Sequence, residues 1–143
     1  MNKLPFCIVI AALLISGLAH AAAPNVKEGL WEVTARVDEP NDRASTRPTK
    51  VQHCITQKDL QNPQKIVPGG DGGSCEVKDQ KTQGNVLSWT MACNGKTPMT
   101  GSGSITFSGT TYTGQSTLTV NRGEGAVNVT VRYDGKYVGP CKK

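Results

Sequence analysis

A cysteine-bounded segment with a glycine at its midpoint constrains this chain more than any other feature. Cys75 and Cys93 lie equally far from Gly84. If residues 75–82 and 86–93 pair as antiparallel strands about that glycine, the two cysteines lie opposite each other. Opposed residues have Cβ atoms about 4.5–5.5 Å apart, close to the separation in a disulfide. The same register pairs Val77 with Met91, Asp79 with Trp89 and Lys81 with Leu87. The segment therefore predicts a hairpin closed by a Cys75–Cys93 disulfide.

The remaining cysteines predict a second disulfide. The chain has five cysteines, and Cys7 lies within an apolar leader. Pairing Cys75 with Cys93 leaves Cys54 to bond with Cys141. An even number of cysteines in a small exported chain is typical of an oxidising compartment. We therefore expect two disulfides and no free thiol after the leader is removed.

The first 21 residues have the layout of a secretory signal peptide. Lys3 supplies a positive charge, an apolar run extends from Leu4 to Leu18, and Ala19 and Ala21 are the small residues before the cut. The apolar run is shorter than the ~20 residues that span a bilayer. The sequence predicts a signal peptide over residues 1–21, cleavage near Ala21, and one β-domain over 22–143. The processed protein is expected to be periplasmic or secreted and not an integral membrane protein.

The rest of the chain favours an all-β fold. Glycine and threonine are abundant, and apolar residues alternate with polar ones at the period of a strand. We predict an antiparallel meander of about seven strands curled into a small barrel or half-barrel. One short helix is expected after Thr56, whose spacing from Asp59 is that of a capping box. Pro63 should end that helix.

A second hairpin can be identified between residues 99 and 120. Its predicted register pairs Met99 with Val120, Gly101 with Leu118, Gly103 with Ser116, Ile105 with Gly114, and Phe107 with Tyr112. Large residues thus oppose small ones on one face. The reverse face is almost wholly Ser, Thr and Gln, which suits solvent. Glycines within strands indicate bending or close backbone approach.

No residue set predicts catalysis. His53 is the only histidine after the leader. It adjoins Cys54, but adjacent strand residues point to opposite faces, so these two cannot form a catalytic pair. The cysteine spacings lack the closely paired thiols of zinc sites. We therefore predict no enzyme activity, no metal and no cofactor. The formal net charge of +5 is small and dispersed, which does not favour nucleic-acid binding.

Two kinds of binding function remain open. The apolar face could enclose a small hydrophobic ligand or lipid, or its large side chains could simply fill the core. The candidate ligand-binding residues are Trp31, Trp89, Met91, Tyr112 and Tyr133. The alternative is an envelope protein–protein interaction or inhibitor module, in which the Ser/Thr-rich face or a strand edge docks a partner. No motif in the sequence indicates which ligand or protein would be the partner.

Two resemblances add to these predictions. Gly29-Leu30-Trp31 resembles the opening motif of lipocalin-like barrels, which implies that Arg132 packs over Trp31 through a cation–π contact. Over nearly the whole processed chain, "EGLWEVT", "HCITQKDL", "SCEVKD", "SWTMAC", "MTGSGSITFSGTTYTG" and "GPC" resemble the exported bacterial family DUF3617. That resemblance implies an envelope location and four paired cysteines, with no known activity and no catalytic residue.

Overall fold

A computed structural model describes residues 24–40, 47–62, 65–67 and 74–142. The predicted signal peptide, the end of the helix at Pro63, the central part of the 39–48 linker and the glycine-rich residues 69–73 lie outside these ranges. The elements are seven strands and one helix: β1 Gly29–Asp38, β2 Thr49–Ile55, α1 Gln57–Gln61, β3 Cys75–Gln83, β4 Val86–Cys93, β5 Met99–Phe107, β6 Thr111–Arg122 and β7 Gly125–Gly139. The predicted all-β fold with one short helix is confirmed.

All seven strands form one antiparallel sheet in the order β2-β1-β7-β6-β5-β4-β3. Strands β3 to β7 follow one another as a meander, and β7 then pairs with β1. The sheet is open, because β2 and β3 lie at its two edges and do not pair with each other. The predicted antiparallel sheet of about seven strands is confirmed, but the sheet does not close into the barrel that was one of the two predicted forms. Closure would require a backbone ladder between β2 and β3.

One face of the sheet carries the core, and we call it the inner face. Trp31 on β1, Trp89 on β4 and Tyr133 on β7 belong to a single buried apolar cluster on this face. The connection between β2 and β3 contributes Ile66 and Val67 to the same cluster. Residues 65–67 of that connection therefore lie over the inner face and supply part of its cover. This arrangement lets a single sheet bury its apolar side chains.

The opposite, outer face is polar and has two halves. On β4, β5 and β6 it carries mainly Ser, Thr and Gln side chains. On β1 and β7 it carries ion pairs, including Arg36 with Asp134 at 3.6 Å and Arg132 with Asp38. These pairs are well exposed, so each contributes little to stability. The outer face is thus divided between a hydroxyl-rich half and a charged half.

Both predicted disulfides are confirmed. Cys75 bonds to Cys93 at the base of the β3–β4 hairpin. Cys54 on β2 bonds to Cys141, which follows β7. Since β1 lies between β2 and β7, the segment after β7 crosses the end of β1 to reach Cys54, and the bond ties edge strand β2 to that segment.

The β3–β4 register is confirmed on one side of a bulge and wrong on the other. Cys75 pairs with Cys93 and Val77 with Met91, as predicted. The register then shifts between Lys78 and Lys81, so that Lys81 pairs with Ser88 and Thr82 with Leu87. The predicted pairs Asp79–Trp89 and Lys81–Leu87 do not form. The extra residue in β3 is absorbed at Asp79 and Gln80, which together oppose Trp89.

The β5–β6 register is confirmed at all five predicted pairs, from Met99–Val120 to Phe107–Tyr112. The capping box is also confirmed. The Thr56 side chain accepts from the Asp59 backbone N–H, and the Thr56 backbone N–H donates to Asp59 Oδ2 at 2.8 Å. The Thr56 hydroxyl donates to Asp59 Oδ2 at 2.6 Å, and this bond, together with the one from the Thr56 backbone N–H, lowers the pKa of the Asp59 carboxyl.

Candidate functional site: a polar groove on the outer face

A groove of about 420 Å³ crosses four neighbouring strands on the hydroxyl-rich half of the outer face. We call it the polar groove. Ten residues line it: Asp79, Lys81, Ser88, Trp89, Thr90, Ser102, Gly103, Ser104, Gln115 and Thr117. Its volume lies within the usual range of ligand sites, about 300–1,000 Å³.

Strand register arranges the polar side chains in two rows across the groove. Ser88, Ser104 and Gln115 form one row, because each is the Cα partner of the next along β4, β5 and β6. Thr90, Ser102 and Thr117 form the second row in the same way. Neighbouring strands lie about 4.8 Å apart, and residues two positions apart on a strand lie about 6.8 Å apart. The groove therefore presents a regular array of groups that can both donate and accept hydrogen bonds.

The floor of the groove is thin at Gly103. This residue pairs with Trp89, whose indole packs against it from the inner face. A Cβ atom at Gly103 would lie 2.5 Å from Trp89 Cζ2, so only glycine fits here. Trp89 is 2 % exposed, and its ring lies directly behind the floor. The indole is therefore well placed to report, through its fluorescence, on what occupies the groove.

The bulge in β3 forms one wall of the groove. Asp79 is the only non-glycine residue with positive φ in the described part of the chain, at +50°. Its Oδ2 accepts a hydrogen bond from Thr90 Oγ1 at 2.8 Å, which fixes the carboxylate on the outer face. Because the bulge places two residues opposite Trp89, Asp79 points outward and Gln80 occupies the inner position. The bulge thus brings one carboxylate and, two residues on, the Lys81 ammonium to the groove.

The five predicted ligand-binding residues belong to the buried cluster of the inner face, and of them only Trp89 also borders the polar groove, from behind its floor. Trp31 is fully buried, and Trp89, Met91, Tyr112 and Tyr133 are buried as well. Trp31 and Tyr112 have ring centroids 5.4 Å apart, and Tyr133 Oη is 3.2 Å from Ser116 Oγ. The structure brings these five residues together in one hydrophobic core. Their role in ligand binding stays a prediction.

Three buried polar atoms on the inner face have no hydrogen-bond partner among the described residues. They are His53 Nε2, Gln80 Nε2 and Trp89 Nε1. Gln80 and Trp89 oppose each other at the bulge. His53 lies on β2, opposite Trp31, and faces away from Cys54 as predicted. An unpaired buried donor, such as the Trp89 indole N–H, costs about 1–3 kcal/mol, so each of these atoms requires a physical explanation.

The predicted contact between Arg132 and Trp31 is wrong. Arg132 pairs in register with Arg36 on the outer face and forms an ion pair with Asp38. Trp31 lies on the inner face, where its Nε1 donates to the Lys27 carbonyl at 2.9 Å. Strand alternation separates the two side chains, since Tyr133 rather than Arg132 is inward on β7.

A second, smaller pocket of about 280 Å³ lies near the Cys54–Cys141 disulfide. Glu28, Gly29, Ile55, Thr56, Tyr137, Pro140 and Cys141 line it. Lys27 precedes Glu28 in the chain, and its Nζ lies 4.2 Å from the centre of the Tyr137 ring, which lines this pocket. The pocket has few polar groups that converge on one point.

Apart from Trp89, none of the residues that line the groove is among the predicted ligand-binding residues. The alternation of polar residues on β5 and β6 predicts a face that suits solvent, and it is the one signal in the sequence that indicates the groove. The location of Asp79 and Lys81 beside that face depends on the β3 bulge. No residue pattern in β3 predicts the bulge, since Gly84 at the midpoint of the hairpin favours a symmetric register.

Among the described residues, no helix has the length and apolar character needed to cross a bilayer, and no three His, Cys, Asp or Glu side chains cluster as metal ligands. The two disulfides indicate an oxidising compartment outside the cytoplasm.

These features define a class: a small all-β domain held by two disulfides, with a packed inner face and a polar groove on the outer face. Comparison with protein-family models matches residues 26–141 to the family described as "Protein of unknown function (DUF3617)". The chain therefore belongs to the DUF3617 family. No match was found among curated proteins or among solved structures.

Proposed function

We propose that this domain is a non-enzymatic binding module of the periplasm or secreted space, and that the polar groove binds a small, hydrophilic, uncharged ligand. The single observation that carries the proposal is the meeting of the two hydroxyl rows with the Asp79 bulge in one groove of about 420 Å³. A site on the outer face leaves the packed core undisturbed.

The chemistry of the lining supports a neutral ligand rich in hydroxyl or amide groups. The five Ser and Thr hydroxyls and the Gln115 amide can each donate and accept. Asp79 and Lys81 contribute one negative and one positive charge, so the groove has no net charge to attract an ion. Among the described residues that line the groove, Trp89 is the one aromatic residue, and its ring is buried behind the floor, which disfavours an apolar ligand. A sugar or an amide-bearing sugar has the matching set of groups.

The surroundings of His53 support a function without catalysis. It lies opposite Trp31 on β2, and its neighbour Cys54 is bonded to Cys141 on the other face. The hydroxyls of the groove lie on the outer face, whereas His53 lies on the inner face. A nucleophile and a base are therefore separated by the sheet.

N-acetylglucosamine is a suitable first probe, because it is neutral and carries both hydroxyl and amide groups. We expect its titration into the oxidised protein to shift the backbone amide resonances of residues 102–104 and 115–117 and the Trp89 indole resonance. Shifts confined to the inner-face residues, or none with a panel of neutral sugars, would contradict the proposal.

Two threonines on β6 provide a matched pair of variants. Thr117→Val removes a hydroxyl from the groove, and Thr113→Val removes one from the same strand and face beyond the groove. One lost hydrogen bond should weaken binding of the sugar about 3- to 10-fold in the first variant and leave it unchanged in the second. Equal affinities of the two variants would place the ligand elsewhere.

A second candidate function, binding of an apolar ligand on the inner face, is favoured by the unpartnered atoms of His53, Gln80 and Trp89. A ligand with an apolar body and a polar group would satisfy such atoms. Native mass spectrometry of protein purified from its own compartment tests this alternative. Recovery of the bare polypeptide mass alone would count against it.

A further inference from the structure

The two edges of the sheet differ in how they are protected. The β3 edge carries Glu76, Lys78, Asp79 and Lys81, and it is interrupted by the bulge. Charged side chains and bulges are the usual devices that prevent an edge strand from pairing with another chain. The β3 edge is therefore guarded along its length.

The β2 edge has no bulge and carries one charged residue. Its pairing with β1 runs without a bulge from Ala35–Thr49 to Gly29–Ile55. Its only charged residue is Lys50, whose ammonium is held 3.1 Å from Glu32 on the neighbouring strand. Val51, in the middle of the strand, is 53 % exposed. A regular, nearly uncharged edge with an exposed valine is a surface on which a further strand can pair.

We propose that β2 pairs antiparallel with β2 of a second copy of this chain, about a two-fold axis at Val51. This register places Val51 of one copy against Val51 of the other, and Lys50 against Gln52. It also sets Thr49 opposite His53, whose Nε2 has no partner among the described residues. No like charges oppose each other in this register.

A second copy fits this edge better than an unrelated strand, because β2 is self-complementary in that register. Pairing two copies about a two-fold axis uses the open edge of each and leaves only the guarded β3 edges outside. The assembly therefore closes at two chains, with one continuous sheet. The polar groove lies on β3 to β6, on the far side of β1 and β7 from β2, so it stays accessible in the dimer.

Sedimentation and light scattering on the oxidised full-length processed protein test the pairing. A strand-to-strand contact is smaller than a standard interface and binds weakly, so the measurement should extend to about 1 mM protein. We expect the mass to rise about twofold with concentration. The Val51→Lys variant, which opposes two ammonium groups at the axis, should stay monomeric with unchanged folding. A wild-type protein that remains monomeric over the whole range overturns the proposal.

Engineered cysteines test the register. Val51→Cys should cross-link to a dimer under mild oxidation at least about tenfold faster than Lys78→Cys on the guarded edge, because the axis brings equivalent residues together. Peptide mapping confirms that Cys54–Cys141 and Cys75–Cys93 remain intact. Cross-linking at equal rates in the two variants overturns β2 as the interface. Faster cross-linking of Gln52→Cys than of Val51→Cys overturns the axis at Val51.

Discussion

Aromatic rings lie directly over several glycines, and two of these places are on the inner face of the central strands. Trp89 covers Gly103, and Tyr112 covers Gly135. A Cβ at Gly135 would lie 2.5 Å from Tyr112 Cδ1 and closer still to Cε1 and Cζ. Each ring thus occupies the space that a side chain at the glycine would need. The glycines therefore let large residues pack against a curved sheet.

This packing predicts the effect of adding one methyl group. Gly135→Ala should lower the free energy of unfolding by about 1–3 kcal/mol, since the Tyr112 ring must move out of its position. Gly123→Ala is the control, because a Cβ there meets nothing within 4 Å. It should change stability by less than about 0.5 kcal/mol. Denaturant unfolding of the two variants measures the difference, and similar values would contradict the packing.

Two buried tyrosines predict a loss of stability in alkali. Burial raises the pKa of Tyr112 and of Tyr133 above the ordinary value of 10.0. The neighbouring Tyr133 adds to the shift at Tyr112, and the hydrogen bond with Ser116 opposes the shift at Tyr133. The unfolded chain ionises near its ordinary pKa and the folded protein above it. Stability should therefore be complete below about pH 10 and fall as the pH rises further.

Absorbance at 295 nm and unfolding measurements from pH 8 to 12 check this expectation. Tyr112→Phe should raise the pH at which alkaline unfolding begins, because it removes one group that must ionise. Tyr133→Phe is a poorer test, since it leaves the buried Ser116 hydroxyl without its partner. Ionisation of both tyrosines near pH 10 without unfolding would show that they are more accessible than the structure indicates.

At the scale of elements, the β3–β4 hairpin shows why symmetry predicted part of the register. The turn uses two residues, Gly84 and Asn85, because Gln83 pairs with Val86. A symmetric register centred on Gly84 alone would require a loop with an odd number of residues. The β3 strand consequently has one residue more than β4, and the bulge absorbs it. The β5–β6 ladder has no extra residue on either strand. Its register therefore follows the predicted pairing of large with small residues throughout.

Two single-residue deletions distinguish the roles of the bulge residues. Deleting Asp79 leaves Gln80 opposite Trp89 and restores a regular ladder, so the hairpin and its disulfide should form with little loss of stability. Deleting Gln80 places the Asp79 carboxylate on the inner face beside Trp89. Burial of that charge should destabilise the fold by several kcal/mol. Denaturant unfolding and disulfide mapping check both outcomes, and equal stability of the two deletions would contradict the observed register.

At the scale of the whole molecule, the two disulfides restrain very different lengths of chain. Cys54 and Cys141 are separated by 87 positions, and their bond encloses every strand from β3 to β7. Cys75 and Cys93 are separated by 18 positions within one hairpin. The longer bond also anchors β2, which has β1 as its single neighbour in the sheet.

Removing each disulfide should therefore have a different cost. The loop-entropy relation gives about 4–5 kcal/mol for Cys54–Cys141 and about 3 kcal/mol for Cys75–Cys93. We expect the Cys54→Ser, Cys141→Ser double variant to be the less stable of the two in denaturant. Hydrogen exchange should show the loss of protection first in β2. Greater destabilisation by the hairpin variant would show that native packing at Cys75–Cys93 outweighs chain entropy.

The sequence by itself determined features that neighbouring residues encode. The alternation of apolar and polar residues located the strands and their faces, Thr56 and Asp59 located the helix start, and the symmetry of Cys75 and Cys93 selected the disulfides. Only the tertiary structure decided that β7 pairs with β1, that the sheet stays open at β2 and β3, and that a bulge directs Asp79 into a groove. The physical reason is that side-chain periodicity is local. Backbone hydrogen bonds are similar for any pair of strands, so the choice of neighbours and the strand ends depend on packing between distant segments.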